Sequence, residues 1–72
     1  MTAREINLDN YERRYSELVK EHIEPELDPL DYPVMIVTNC LGEPTNEICI
    51  VTPFVDEQDY ALCTYYRKKE ST

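Results

Sequence analysis

Val34 to Tyr66 constrains this chain more than any other stretch. It reads VMIVT, a turn, ICIVT, a loop, then YALCTYY. Each run is short, rich in β-branched and aromatic residues, and bounded by Pro, Gly, Asn or Asp, which predicts three β-strands. In the first run Val34 and Ile36 point one way and Met35 and Val37 the other. In the second, Ile48 and Ile50 oppose Cys49 and Val51. Both faces of the predicted sheet are therefore apolar. The links are too short for crossovers, so antiparallel hairpins are expected, with strands over about Val34–Cys40, Glu47–Thr52 and Tyr60–Arg67. Leu41–Asn46 is expected to turn, with Gly42 supplying any positive φ, and Phe54–Asp59 forms an acidic loop.

Upstream, Leu8, Tyr11, Tyr15, Leu18, Val19 and His22 recur at steps of three and four, which predicts one face of a helix from about Asp9 to Leu18 or Val19. Asp9 suits its N-cap, with Glu12 three residues on as capping-box partner. Pro25 stops it at the latest. The next residues, KEHIE, extend the helical pattern and also alternate as a strand does. In EPELDPLDYP, Pro25, Pro29 and Pro33 forbid a long helix but allow one turn, which places Leu27 and Leu30 on one side. Residues 1–7 and the basic tail RKKEST read as frayed ends. The expected fold is α+β: a single domain, 1–72, with an N-terminal helix packed on a small antiparallel sheet of three to four strands. One helix covers one sheet face, so the other is expected to be open for binding.

Fifteen acidic residues against seven basic ones give a net charge of −8. Such a balance argues against direct contact with nucleic acid and suits a protein partner with a basic surface. Acidic residues also serve simply to keep a small protein soluble. Cys40, Cys49 and Cys63 make an odd count without CxxC spacing, and His22 alone could join them as a ligand. No metal site and no cofactor are expected. A nucleophile needs an activating base, and one histidine without partners supplies none, so no enzyme activity is expected. MTAREINLDN has no signal-peptide core, and no apolar run reaches the length of a membrane span. Reduced thiols suit the cytoplasm.

The stretch VMIVTNCLGEPTNEICIVT, with YALCT at Tyr60–Thr64, resembles the phage uracil-DNA glycosylase inhibitor family. It aligns without a gap with that family's central hairpin: an apolar strand ending in Thr, an acidic turn, and a second apolar strand ending in Thr. With a shift of one residue, YALCT matches the family's aromatic-Ala-Leu strand. The resemblance covers nearly half the chain, through common residue types. It implies DNA mimicry, in which carboxylates occupy the enzyme's basic DNA-binding groove. A cavity beside the sheet then takes the apolar side chain that the enzyme wedges into the minor groove. It carries the cavity-lining positions onto Ile36, Cys49, Val51 and Cys63, expected to share one wall. Lys20-Glu21-His22-Ile23 is nearest to the family's edge-strand motif, which assigns Glu21 the role of reaching the enzyme and favours strand for KEHIE. PELDPL stands where the family has a helix roofing the cavity, so Leu27 and Leu30 become roof, and Glu26 or Asp28 its carboxylate. The chain departs from the family in its shorter middle, its missing final strand and its basic tail. The alternative is an acidic phage or bacterial adaptor for another DNA-binding host protein, such as an anti-CRISPR-like factor or a polymerase regulator. A homodimer burying a spare sheet face would need no other partner.

Overall fold

A computed structural model describes residues 1–70. It is dominated by one four-stranded antiparallel sheet: β1 (Tyr11–Val19), β2 (Val34–Thr38), β3 (Pro44–Pro53) and β4 (Ala61–Lys68), in the spatial order β1-β4-β3-β2. The last three strands form the expected meander. Gly42, at φ 79°, closes the β2–β3 turn. There the Asn39 side-chain oxygen accepts from the Leu41 and Glu43 amides at 2.9 and 3.0 Å. The turn thus begins two residues earlier than the sequence suggests, because Asn39 caps it and Pro44 resumes the strand.

The predicted helix is not formed. Leu8–Asn10 makes a single 3₁₀ turn, in which Asn7, not Asp9, supplies the capping oxygen. Tyr11–Val19 then runs as an edge strand along β4. A bulge between Arg13 and Tyr15 explains the misleading period. The extra residue reverses which face each parity occupies. Tyr11 therefore packs with Tyr66 on one face, whereas Tyr15 stacks on Tyr65 on the other, centroids 4.6 Å apart. Tyrosines four apart on opposite faces of a bulged strand imitate one helical stripe. Cross-strand contacts favour the extended form: Ser16 Oγ donates to Thr64 Oγ1 at 3.1 Å and Tyr65 Oη donates to Glu17 Oε1 at 2.8 Å. Ser16→Ala strands the buried Thr64 hydroxyl and should cost about 1 kcal/mol, read as a lowered urea midpoint.

Neither sheet face is left open as a whole. On the first face Cys49, Val51, Ala61 and Cys63 are buried, with Val19, Val37 and Tyr65 of the flanking strands and Ile23 from outside the sheet packed against them. On the second, Val34, Ile48 and Ile50 are buried, with Tyr11 and Tyr66 of the sheet and Ala3, Ile6 and Tyr32 from outside it packed against them. Irregular chain does the work expected of a helix. The N-terminal residues are not frayed: the Ala3 amide donates to Tyr32 O and the Val34 amide to Met1 O, both at 3.0 Å. This brings Ala3 and Ile6 onto the second face. Arg4 and Asp31 form an exposed ion pair at 3.1 Å, which adds little stability. The basic tail is held as far as Lys69, whose amide donates to Asn10 O at 2.8 Å. Ser71 and Thr72 of the predicted frayed tail lie outside the described residues.

Candidate protein-binding surface

Two connecting segments meet at one end of the sheet. The first, residues 20–28, leaves β1. The second, residues 54–60, joins β3 to β4. His22 Nδ1 and the Gln58 carbonyl hold them together at 3.0 Å. Between them lies a cleft of about 310 Å³ lined by His22, Ile23, Pro25, Pro53, Phe54, Val55 and Gln58. Val55 is 77% exposed at this cleft. The lining is mostly apolar because Ile23 stands among acids, Phe54 and Val55 directly precede Asp56 and Glu57, and Pro25 and Pro53 offer ring carbons without an amide donor.

Carboxylates surround this cleft in sequence. Glu21, Glu24, Glu26 and Asp28 lie on the first segment and Asp56, Glu57 and Asp59 on the second, seven of the chain's fifteen. All seven are exposed, and among the described residues none is in a salt bridge. Lys20 is the only Lys or Arg on either segment. At the opposite end, β1 and β4 bring Arg13, Arg14, Arg67 and Lys68 together, with Lys69 just beyond. The charge is thus polarised along the sheet, with the basic tail turned away from the acidic end.

The expected binding residues divide. Cys49, Val51 and Cys63 do share a face, but they are 2%, 2% and 4% exposed in closely packed surroundings. Ile36 does not share their wall. Paired with Ile48, it stands on the second face, where it lines another cleft with Met1, Ile6, Tyr11 and Ile48. The strand period of two separates Ile36 from Val37, which is the residue packed on that wall. KEHIE is neither helix nor edge strand. The edge strand ends at Val19, and the Glu21 amide turns back to Val19 O at 3.1 Å. Leu27 and Leu30 form no roof. Pro25 and Pro29 break the segment into a bend and a 3₁₀ turn over Pro29–Asp31. Asp28 caps that turn, accepting from the Leu30 amide at 2.9 Å, and Leu30 is 51% exposed. Ile23 takes the covering position instead. Glu26 and Asp28 remain exposed at the acidic end, with Glu21. Sequence reasoning passed over Ile23, Phe54 and Val55. The available signal was apolar residues inside otherwise acidic segments.

The chain matches no family model, no curated protein and no solved structure.

Among the described residues, no group of three or more His, Cys, Asp or Glu side chains is placed to hold a metal ion. Cys49 and Cys63 are neighbours on one face. Burial, then the adjacent Cys63 sulfur, pushes the Cys49 thiol up to about 11, and burial raises Cys63 too. The hydrogen bond to the Glu17 carboxylate, then burial, raises Tyr65. Each of these acids has a folded pKa above its unfolded value. Their contribution to stability is present below the unfolded pKa and is lost as pH rises through the folded one. The urea midpoint should therefore fall from about pH 9 toward 11, the span given by Cys49. A midpoint flat over that range would contradict these environments. An alkylating reagent near neutral pH should label exposed Cys40 and spare Cys49 and Cys63 until the chain is unfolded. Mass spectrometry counts the labels.

Proposed function

We propose that this chain is a non-catalytic acidic protein-binding module that seats its acidic end in the DNA-binding groove of uracil-DNA glycosylase and blocks uracil excision. One observation carries the reading: an apolar cleft between two segments bearing seven carboxylates. A groove built for DNA offers Lys and Arg spaced for phosphates, and exposed, unpaired carboxylates suit it. An apolar side chain standing in such a groove finds its receptor in the cleft of Ile23, Phe54 and Val55. Burying one large aliphatic side chain there contributes about 2 kcal/mol. This moves the capture site from the strand wall to the end of the sheet. A cytoplasmic site of action belongs to the same proposal. Among the described residues, no helix is long and apolar enough to cross a membrane.

The missing roof helix and the separation of Ile36 from Cys49, Val51 and Cys63 favour a second reading. In it the same surface serves as an adaptor for a different basic, DNA-binding host protein. A uracil-excision assay decides between the two. Excision should stop near one equivalent of added chain. Excision unchanged at large molar excess of folded chain would sink the glycosylase reading and leave the adaptor. Within the glycosylase reading, Glu21→Gln should weaken inhibition by about 1–3 kcal/mol if its contact is charge-assisted and buried. Glu12→Gln, on β1 and paired with Arg67 in the ladder, should change little. Equal losses would mean that only net charge matters.

A further inference from the structure

β2 is an edge strand with backbone groups to spare. Residues on a strand send N–H and C=O alternately to its two sides. The Pro33 carbonyl accepts from the Val51 amide at 3.0 Å, and the Asn39 amide donates to the Glu43 carbonyl at 2.9 Å. Odd-numbered residues therefore face β3, and Val34, Ile36 and Thr38 face away from it. Met1 O takes the outward Val34 amide. Among the described residues, no hydrogen bond reaches the outward N–H and C=O groups of Ile36 and Thr38.

We propose that β2 pairs, antiparallel and edge to edge, with β2 of a second copy of this chain, about a two-fold axis at Val37. In that register Ile36 lies opposite Thr38 of the second copy, and Thr38 opposite its Ile36. Four N–H···O=C bonds then use every free outward group of both residues. Centring the axis on Ile36 instead would bring the other copy's Thr38 beside Val34, where Met1 already sits.

The two edges of the sheet differ in their protection. β1 carries Glu12, Arg13, Arg14 and Glu17 together with its bulge, the usual guards against strand pairing. β2 reads VMIVT, with no charge and no proline. The irregularity near Thr38 lies opposite it, in β3: one residue stands between Ile36 and Thr38, but three stand between their partners Ile48 and Pro44. Met35 and Ile36 are 53% and 47% exposed. A second copy suits this edge because the strand offers the matching spacing and adds no charge at the seam. The geometry also manages the net charge of −8. The acidic segments lie at the Val34 end of β2, near Pro33 and Pro53. Antiparallel pairing sends the two acidic ends to opposite extremes of an eight-stranded sheet and leaves both clefts open. Residual repulsion makes the dimer stronger at higher salt.

Sedimentation equilibrium in reducing buffer, which excludes disulfides through exposed Cys40, tests the proposal on the intact chain. Mass should rise with concentration from 8.5 kDa to twice that value, and more readily as salt is added. Ile36→Pro removes an outward amide and leaves the ladder to β3 intact, since proline is tolerated in that position of an edge strand. It should weaken the dimer by more than about tenfold, two hydrogen bonds being lost per dimer. Should that variant not fold, the wild-type chain decides by amide exchange: the Ile36 and Thr38 amides must slow as concentration rises, and the Leu41 amide must not. A monomer at every concentration would overturn the proposal. So would a dimer whose Ile36 and Thr38 amides exchange at the monomer rate, or protection of those amides only when a different protein is added.

Discussion

Val51→Asp is expected to leave the chain unfolded at neutral pH. Val51 is 2% exposed and is surrounded by Cys49, Ala61, Cys63 and the residues that cover them. No cation stands among those neighbours, and Glu17 and Glu21 approach the same face closely enough to raise the thiols. An ionised carboxylate there would be desolvated, unpaired and near like charge, a cost of several kcal/mol. A domain of this size holds on the order of 5 kcal/mol. Circular dichroism should show loss of the β signal. Burial raises the folded pKa of the new carboxyl, so the stability it permits is present below its unfolded pKa and is lost as pH rises. The variant should therefore regain structure toward about pH 4, whereas Val51→Asn, which has no titration to rescue it, should not. Val51→Ala should stay folded at a cost of about 2 kcal/mol, the methyls lost from a closely packed site. A folded Val51→Asp at neutral pH would mean that this face opens to water.

The sheet was legible where the period of two is unbroken. Val34–Thr38, Ile48–Val51 and Ala61–Tyr66 kept their alternation, and the structure pairs them as their patterns require. Tyr11–Val19 was not legible, because one bulged residue breaks the strand's alternation: Tyr11 and Leu18, an odd step of seven apart, share one face, and Tyr15 and Val19 the other. What makes it a strand lies far away in sequence, in the bonds of Ser16 and Glu17 to Thr64 and Tyr65. The coverings of the two faces were hidden for a related reason. Ala3, Ile6 and Ile23 carry no periodic signal, and each is placed by a tertiary contact. The candidate site divides in the same way. The acids of residues 20–28 and 54–60 are evident in composition. That the two segments face each other across Ile23, Phe54 and Val55 depends on the β1–β4–β3 order and on the His22–Gln58 contact.

Replacing Glu24, Glu26, Asp56 and Glu57 together by their amides is expected to weaken inhibition of the proposed partner by roughly a thousandfold, at about 1 kcal/mol for each charge-assisted contact. All four are exposed, and among the described residues none of their side chains accepts a hydrogen bond or joins an ion pair. The fold therefore loses nothing, and relief of mutual repulsion should hold the urea midpoint level or raise it slightly. The comparison that isolates position from net charge is Glu5, Asp9, Glu12 and Glu70, also exposed and also reduced by four charges, but outside the two segments that form the cleft. This second variant should keep most of its inhibition. The dependence of inhibition on salt should flatten in the first variant and persist in the second, because only contacts made in the groove exchange for counterions. Equal weakening in both would reduce the acidic end to a diffuse field. Full inhibition by the first variant would remove the carboxylates from the interface and leave the cleft of Ile23, Phe54 and Val55 to account for binding alone.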